Sequence, residues 1–101
     1  MASWDRITAV YMLANHKNGT LYIGVSSDLL KRMHDHREAL TPGFATRYGC
    51  RTLVWYEPHQ MIAEAIRREK SLKSYRRKNK ISLIEADNPE WLDLYAGLIS
   101  G

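Results

Sequence analysis

The sequence predicts an α+β fold, a three-stranded and mostly antiparallel sheet flanked by helices in the order β-β-α-β-α-α. Three observations predict it. Two apolar runs, Ala9–Ala14 and Leu21–Val25, flank Asn18-Gly19, a strong hairpin signal because both central residues of a type I′ turn need φ > 0. A third run, Thr52–Glu57, is β-branched and aromatic and is closed by Pro58. The segments after the second and third runs carry apolar residues at helical spacing.

With a two-residue turn at Asn18-Gly19, Asn15 faces Tyr22 and Leu13 faces Gly24. Side chains alternate along a strand, so Tyr11, Leu13, Tyr22 and Gly24 share one face of the ribbon. Two tyrosines beside bare glycine backbone make either a stabilising cross-strand aromatic cluster or the start of a site. The next helix bears on that choice. Ser26-Ser27-Asp28 supplies N-cap candidates, and Leu29, Leu30, Met33, Arg37 and Leu40 then cluster on one side. Arg32 and His36, four residues apart on the rim of that stripe, can reach the same spot outside the helix.

Tyr11 in Val10-Tyr11-Met12, Tyr22-Ile23-Gly24 eleven residues on, then Arg32 and His36, resemble the GIY-YIG nuclease superfamily. The likeness is to small stand-alone single-domain bacterial members, related to the nuclease module of the UvrC repair protein and to structure-specific endonucleases. Val10 and Met12 depart from the first motif's Gly-Ile and Ile, but the tyrosine that carries chemistry is kept. The resemblance spans about residues 7–85 of a domain expected to fill residues 1–101.

The bulk of the chain fits one globular domain of 101 residues, 45% apolar and 26% charged, large enough to fold without metal or disulfides. The lone Cys50 can form no intrachain disulfide. No apolar run approaches the length of a membrane span, and the N-terminus lacks a signal segment. A cytoplasmic protein without membrane contact is expected, and no feature sets an oligomeric state. Trp4, in the lead-in, is expected to pack back on the domain.

Charge is concentrated. Met61–Lys80 holds eight Lys or Arg against two Glu, +6 in a chain whose net charge is +4. Such a face is either the footprint of a polyanion binder or a solvated helix surface. The loop Thr41–Gly49 interleaves Phe44 and Tyr48 with Arg47, which suits base stacking with phosphate contact, or pinning of the loop to the core.

A helix is expected from Met61 to about Arg77, with Met61, Ile62, Ala65, Ile66 and Leu72 on its apolar side and Glu69 in their midst. A carboxylate there needs a cation, a metal or a donor, and an ion pair to Arg32 or Arg76 would satisfy it. Arg67, Lys70, Lys73 and Arg77 lie largely off the apolar side, available to phosphates. Asn79–Ala86 continues in helical or broken-helical form. Asn88-Pro89-Glu90 reads as the start of a C-terminal helix over about 89–99, with Trp91, Tyr95 and Leu98 at helical spacing.

The resemblance implies roles. Tyr11 is the general base, Tyr22 a partner of the water or phosphate, Arg32 the phosphate-binding fork and Glu69 the single metal ligand, for one Mg²⁺ or Mn²⁺. His36, with an ordinary pKa near 6.5, can take the tyrosine proton or act as base itself. Asn79 and Asn88 are candidates for an asparagine that some members use. The implied activity is metal-dependent, single-strand hydrolysis of DNA in repair or recombination, with a partner protein supplying target recognition. A DNA-binding or repair-accessory module with little turnover, and a nuclease acting on RNA, are the other readings. If the Asn18-Gly19 hairpin is read correctly, the two tyrosine hydroxyls, Arg32 and His36 should line one concave, solvent-reachable patch. A tyrosine hydroxyl in the core would speak against the site.

Overall fold

The computed structural model describes residues 6–38, 43 and 47–100. Trp4, Leu40, Phe44 and the rest of residues 1–5, 39–42, 44–46 and 101 lie outside them. The elements are β1 (Ala9–Ala14), β2 (Leu21–Ser26), α1 (Leu29–Arg37), β3 (Thr52–Pro58), α2 (Ile62–Lys73), α3 (Arg77–Asp87) and α4 (Tyr95–Ser100). The strands form one antiparallel sheet in the order β2-β1-β3, which is the fold the pattern predicts.

β1 is central and buried on both faces, which is why its six residues read as an unbroken apolar run. Val10, Met12, Ala14, Ile23 and Trp55 meet Ala65 and Leu72 of α2, Ile84 of α3 and Trp91 on one face. Ala9, Tyr11, Leu13 and Leu53 meet Leu29 and Met33 of α1, with Leu94, Tyr95 and Leu98 alongside, on the other. A bulge shifts the β1–β3 register after Met12, so that Leu13 pairs with Leu53 while Met12 pairs with Trp55.

The hairpin register differs from the expected one by two residues. Tyr11 pairs with Gly24 and Leu13 with Tyr22, and Asn15 closes the ladder by donating to Thr20 O at 3.3 Å. The turn is His16–Gly19, with Gly19 N donating to His16 O at 2.9 Å; Asn18 has φ 61 but Gly19 is not left-handed. Gly19 is needed for room, since a Cβ there would run into Asn15 Oδ1. Asn15 Oδ1 accepts from Thr20 N at 2.9 Å, a side-chain closure that a two-residue turn would have no use for. Because the slip is an even number, every side chain keeps its face, and the two tyrosines still point the same way.

Two helix boundaries also differ. α2 ends at Lys73, where Ser74 Oγ donates back to Ser71 O at 2.7 Å and Arg76 turns extended before α3. No proline or glycine marks that break. Asn88 caps the end of α3 instead of starting a helix: it is buried, its Nδ2 donates to Val54 O and Leu92 O at 3.1 and 2.9 Å, and its Oδ1 accepts from Leu92 N. α4 therefore starts only at Tyr95, whose N–H donates to Asp93 Oδ1 at 3.1 Å. Met61, Ile62 and Ile66 are exposed, so α2 buries only the narrow stripe of Ala65 and Leu72. Among the described residues no helix is long and apolar enough to cross a membrane.

Candidate active site

The site grows out of the Tyr11–Gly24 pair. With no side chain on Gly24, the Tyr11 ring lies down across β2, and its hydroxyl reaches the side chains of α1. α1 is set by Asp28, whose carboxylate accepts from Lys31 N at 3.4 Å and whose own N–H donates to Ser26 Oγ at 2.9 Å. Leu29 and Met33 anchor the helix in the core, which turns Arg32 and His36 toward the tyrosines.

Three rings meet there. The Tyr11 and Tyr22 centroids are 6.3 Å apart, Tyr11 and His36 6.0 Å, and Tyr22 and His36 5.7 Å. The Tyr11 hydroxyl lies 3.3 Å from His36 Nε2. The Arg32 guanidinium lies beside the same phenol, where its positive charge favours the ionised form. A phenol oxygen can accept from guanidinium and from an imidazole N–H alike, or it can donate its own proton to Nε2 when the His36 ring hydrogen sits on Nδ1. Nδ1 of His36 is a buried atom with no hydrogen-bond partner among the described residues.

Burial governs both titrations. It pushes the Tyr11 phenol up to about 12, with negative charge at Tyr22 and Glu69 adding to the rise and Arg32 opposing it. His36 is lowered from 6.5, first by burial and then by Arg32, with Asp35 pulling the other way. Tyr11 is thus a firmly protonated phenol and His36 a neutral imidazole at neutral pH.

One expectation fails. Tyr11 is 0% exposed and His36 5%, so the phenol lies in the core and neither it nor the imidazole lines a solvent-reachable patch. The same packing that brings the groups together, Tyr22 and His36 against the Tyr11 ring, covers it. Beside the cluster lies an open cleft of ≈ 260 Å³ lined by Ser26, Ser27, Asp28, Lys31, Arg32 and Asp35. Arg32 belongs to both, joining the buried phenol to the cleft. A larger hollow of ≈ 590 Å³ beneath α4 contains none of the site residues.

Glu69 sits between Ala65 and Leu72 on the inner stripe of α2, its side chain 16% exposed, and pairs with Lys73 Nζ at 3.2 Å. The cation it finds is therefore Lys73, one turn on, and not Arg32 or Arg76. Among the described residues no three His, Cys, Asp or Glu side chains converge as a metal cage. A single carboxylate still fits a hard cation that keeps most of its water, as Mg²⁺ does. Arg67 and Lys70 are exposed on α2, and Arg47 is exposed with its guanidinium 5.7 Å from the Tyr48 ring centroid. Arg77 is engaged elsewhere. Its Nη2 donates to Asn18 O and Gly19 O at 2.8 and 2.6 Å, because the start of α3 meets the hairpin tip. Asn79 is exposed and Asn88 is bound into the fold. Sequence reasoning passed over Asp35, which tunes His36, and Asp93, which pairs with Arg37.

A three-stranded antiparallel sheet with Tyr, Tyr, Arg and His gathered across its first hairpin and first helix defines a GIY-YIG-type fold. The model of the GIY-YIG catalytic domain matches residues 8–82, and the chain belongs to this family. Two UPF0213 proteins of Pseudomonas aeruginosa, from strains UCBPP-PA14 and PAO1, are each 32% identical over 83 residues, covering 82% of this chain and 79% of theirs. The solution NMR structure of a UPF0213 protein from Bacillus halodurans shares the fold, with a TM-score of 0.53, 24% identity and coverage of 85% of this chain and 90% of that one.

Proposed function

We propose that this protein is a metal-dependent endonuclease that cuts one DNA strand by direct hydrolysis. The observation that carries the reading is the Tyr11 hydroxyl 3.3 Å from His36 Nε2, with the Arg32 charge beside it. Hydrolysis requires a group to take the proton of the attacking water and a positive group on the phosphate. With its pKa pushed up to about 12, Tyr11 cannot rest as a phenolate at neutral pH. Neutral His36 removes that obstacle. As the Tyr11 oxygen takes the water's proton, the phenol's own proton passes to Nε2, and the charge ends as an imidazolium beside Asp35.

Arg32 offers its fork to the phosphate oxygens from the side of the cleft. Tyr22, half-buried over Tyr11, hydrogen-bonds the water or the phosphate, and substrate binding has to lift it for water to reach Tyr11. Glu69 would hold one Mg²⁺ or Mn²⁺, with Lys73 moved aside. A divalent ion bound there supplies charge neutralisation at the leaving 3′ oxygen. Arg47, Arg67 and Lys70 bind the phosphate backbone. A cytoplasmic repair or recombination setting, with a partner protein choosing the target, completes the proposal.

One observation favours a second reading. A Tyr11 with no exposure also suits a DNA-binding or repair-accessory module in which the cluster is structural. Purified protein on supercoiled plasmid, single-stranded and branched DNA, and RNA, with Mg²⁺, Mn²⁺ or EDTA, separates the two. Metal-dependent nicking that disappears in Tyr11→Phe and His36→Ala supports the nuclease. Retained DNA binding without nicking in any metal supports the module.

A further inference from the structure

α1 carries both Arg32 and His36, yet it is only nine residues long. What orients its far end therefore matters to the cluster. The residue after His36 is Arg37, on the same side of the helix as Leu29 and Met33. Its guanidinium pairs with Asp93 Oδ2 and lies over the Tyr95 ring, 4.6 Å from the centroid. Its Nε is buried with no hydrogen-bond partner among the described residues, so this head group depends on Asp93 and Tyr95.

Asp93 is itself tied down on its other oxygen. Oδ1 accepts from Leu53 N at 3.2 Å and from Tyr95 N at 3.1 Å. Leu53 lies on β3, next to β1 in the sheet, and its carbonyl accepts from Leu94 N at 2.8 Å. One carboxylate thus joins the end of α1 to the sheet and to the start of α4. The pairing is charge-assisted, and the aromatic face beneath the guanidinium limits the ways Arg37 can turn.

We propose that Asp93 is a positioning residue for the Tyr11–Arg32–His36 cluster, acting through Arg37 at the end of α1. This rests on the reading of that cluster as the active site, but the link itself can be tested without any cleavage. With Asp93 in place, the last turn of α1 is held against the sheet and His36 stays packed on Tyr11 and Tyr22. Without its charge, Arg37 loses its acceptor, the turn loosens, and the imidazole gains access to water.

The experiment is NMR titration of the His36 ring in wild-type protein and in Asp93→Asn. Asparagine keeps an oxygen for the Leu53 and Tyr95 amides and removes the charge that holds Arg37. The groups facing His36 are Arg32 and Asp35 on α1, Tyr11 on β1 and Tyr22 on β2, and none of them is altered. The expected result is a His36 pKa displaced upward, toward 6.5, in a protein that remains folded. A purely structural ion pair would lower the melting temperature and leave that titration where it was, and this result overturns the proposal. Should Asp93→Asn fail to fold, Tyr95→Leu, which removes the ring under Arg37 and keeps an apolar side chain against the core, must move the His36 titration the same way or the proposal fails. On a nickable plasmid, kcat should fall at least several-fold in Asp93→Asn with KM little changed, and Asp93→Glu, which keeps the charge, should retain part of it. If wild-type protein nicks nothing, the nuclease reading falls while the His36 titration still decides the role of Asp93.

Discussion

Gly24 stands directly opposite Tyr11 in the β1–β2 ladder, and a Cβ placed on it would lie 2.5 Å from the phenol oxygen. The glycine of the second motif is thus the bed on which the tyrosine of the first motif lies. Gly24→Ala should push the phenol off His36 and Arg32. The overpacking should cost about 1–3 kcal/mol, or roughly 4–8 °C of melting temperature per kcal/mol for a domain of this size. Cleavage should fall further than unfolding explains, by about 10²-fold, the size of a missing acid–base contribution. A Gly24→Ala protein that melts and nicks like wild type contradicts the packing described here.

The pH profile should carry two signatures. Folding raises the Tyr11 pKa from 10.0 to about 12, so the unfolded chain loses that proton first as pH rises. Stability from this group is complete below pH 10 and is lost as pH climbs toward 12, about 3 kcal/mol at most. Urea midpoints measured across that range should fall more steeply in wild type than in Tyr11→Phe. His36 is shifted the other way, so the folded state resists its protonation and stability declines as pH drops below 6.5. If His36 takes the Tyr11 proton, activity needs the neutral imidazole, and the acid limb should lie below 6.5 and be absent from whatever residual rate His36→Gln retains.

Much of this arrangement is legible in the chain. β1 and β3 announce themselves by composition, and the facing tyrosines survive a wrong turn length because a two-residue slip preserves side-chain parity. What a sequence pattern cannot carry is the competition between local signals and distant partners. Asn88-Pro89 has the chemistry of a helix start, yet Val54, far away in sequence, claims the asparagine side chain. Ser74 breaks a helix without any breaker residue, and Arg77 is drawn to the turn by carbonyls 58 and 59 positions away. The burial of Tyr11 is likewise hidden, because periodicity says which face a ring is on and not what lies over it.

The basic residues should separate into two classes. Arg67 and Lys70 are exposed on α2, and replacing both by Ala should weaken binding to any DNA sequence alike. The slope of log K against log salt should drop by roughly 0.9 for each phosphate no longer neutralised. Arg77→Ala should behave differently, since its guanidinium braces the hairpin tip. It should cost about 1–2 kcal/mol of stability and change the salt slope little. Equal salt-slope changes in both variants would return Arg77 to the phosphate-binding face.

Glu69 decides between enzyme and binding module. It pairs with Lys73 at 3.2 Å, and that lysine's side chain is 56% exposed, so the pair is screened and adds well under ~1 kcal/mol. Glu69→Gln keeps the shape between Ala65 and Leu72 and removes the charge. The melting temperature should accordingly move by only a few degrees in metal-free buffer. If Glu69 holds the metal, wild-type melting should rise with Mg²⁺ or Mn²⁺, because a ligand that binds only the folded state stabilises it, while the Gln variant should show no such rise. Nicking should fall by orders of magnitude, and DNA affinity should hold or increase because a charge repelling phosphate has gone. Lys73→Gln should tighten the metal response, since the competing cation is removed. A wild-type melting curve indifferent to both metals, together with a Glu69→Gln protein that nicks DNA normally, would take Glu69 out of the active site and leave it as the partner of Lys73 alone.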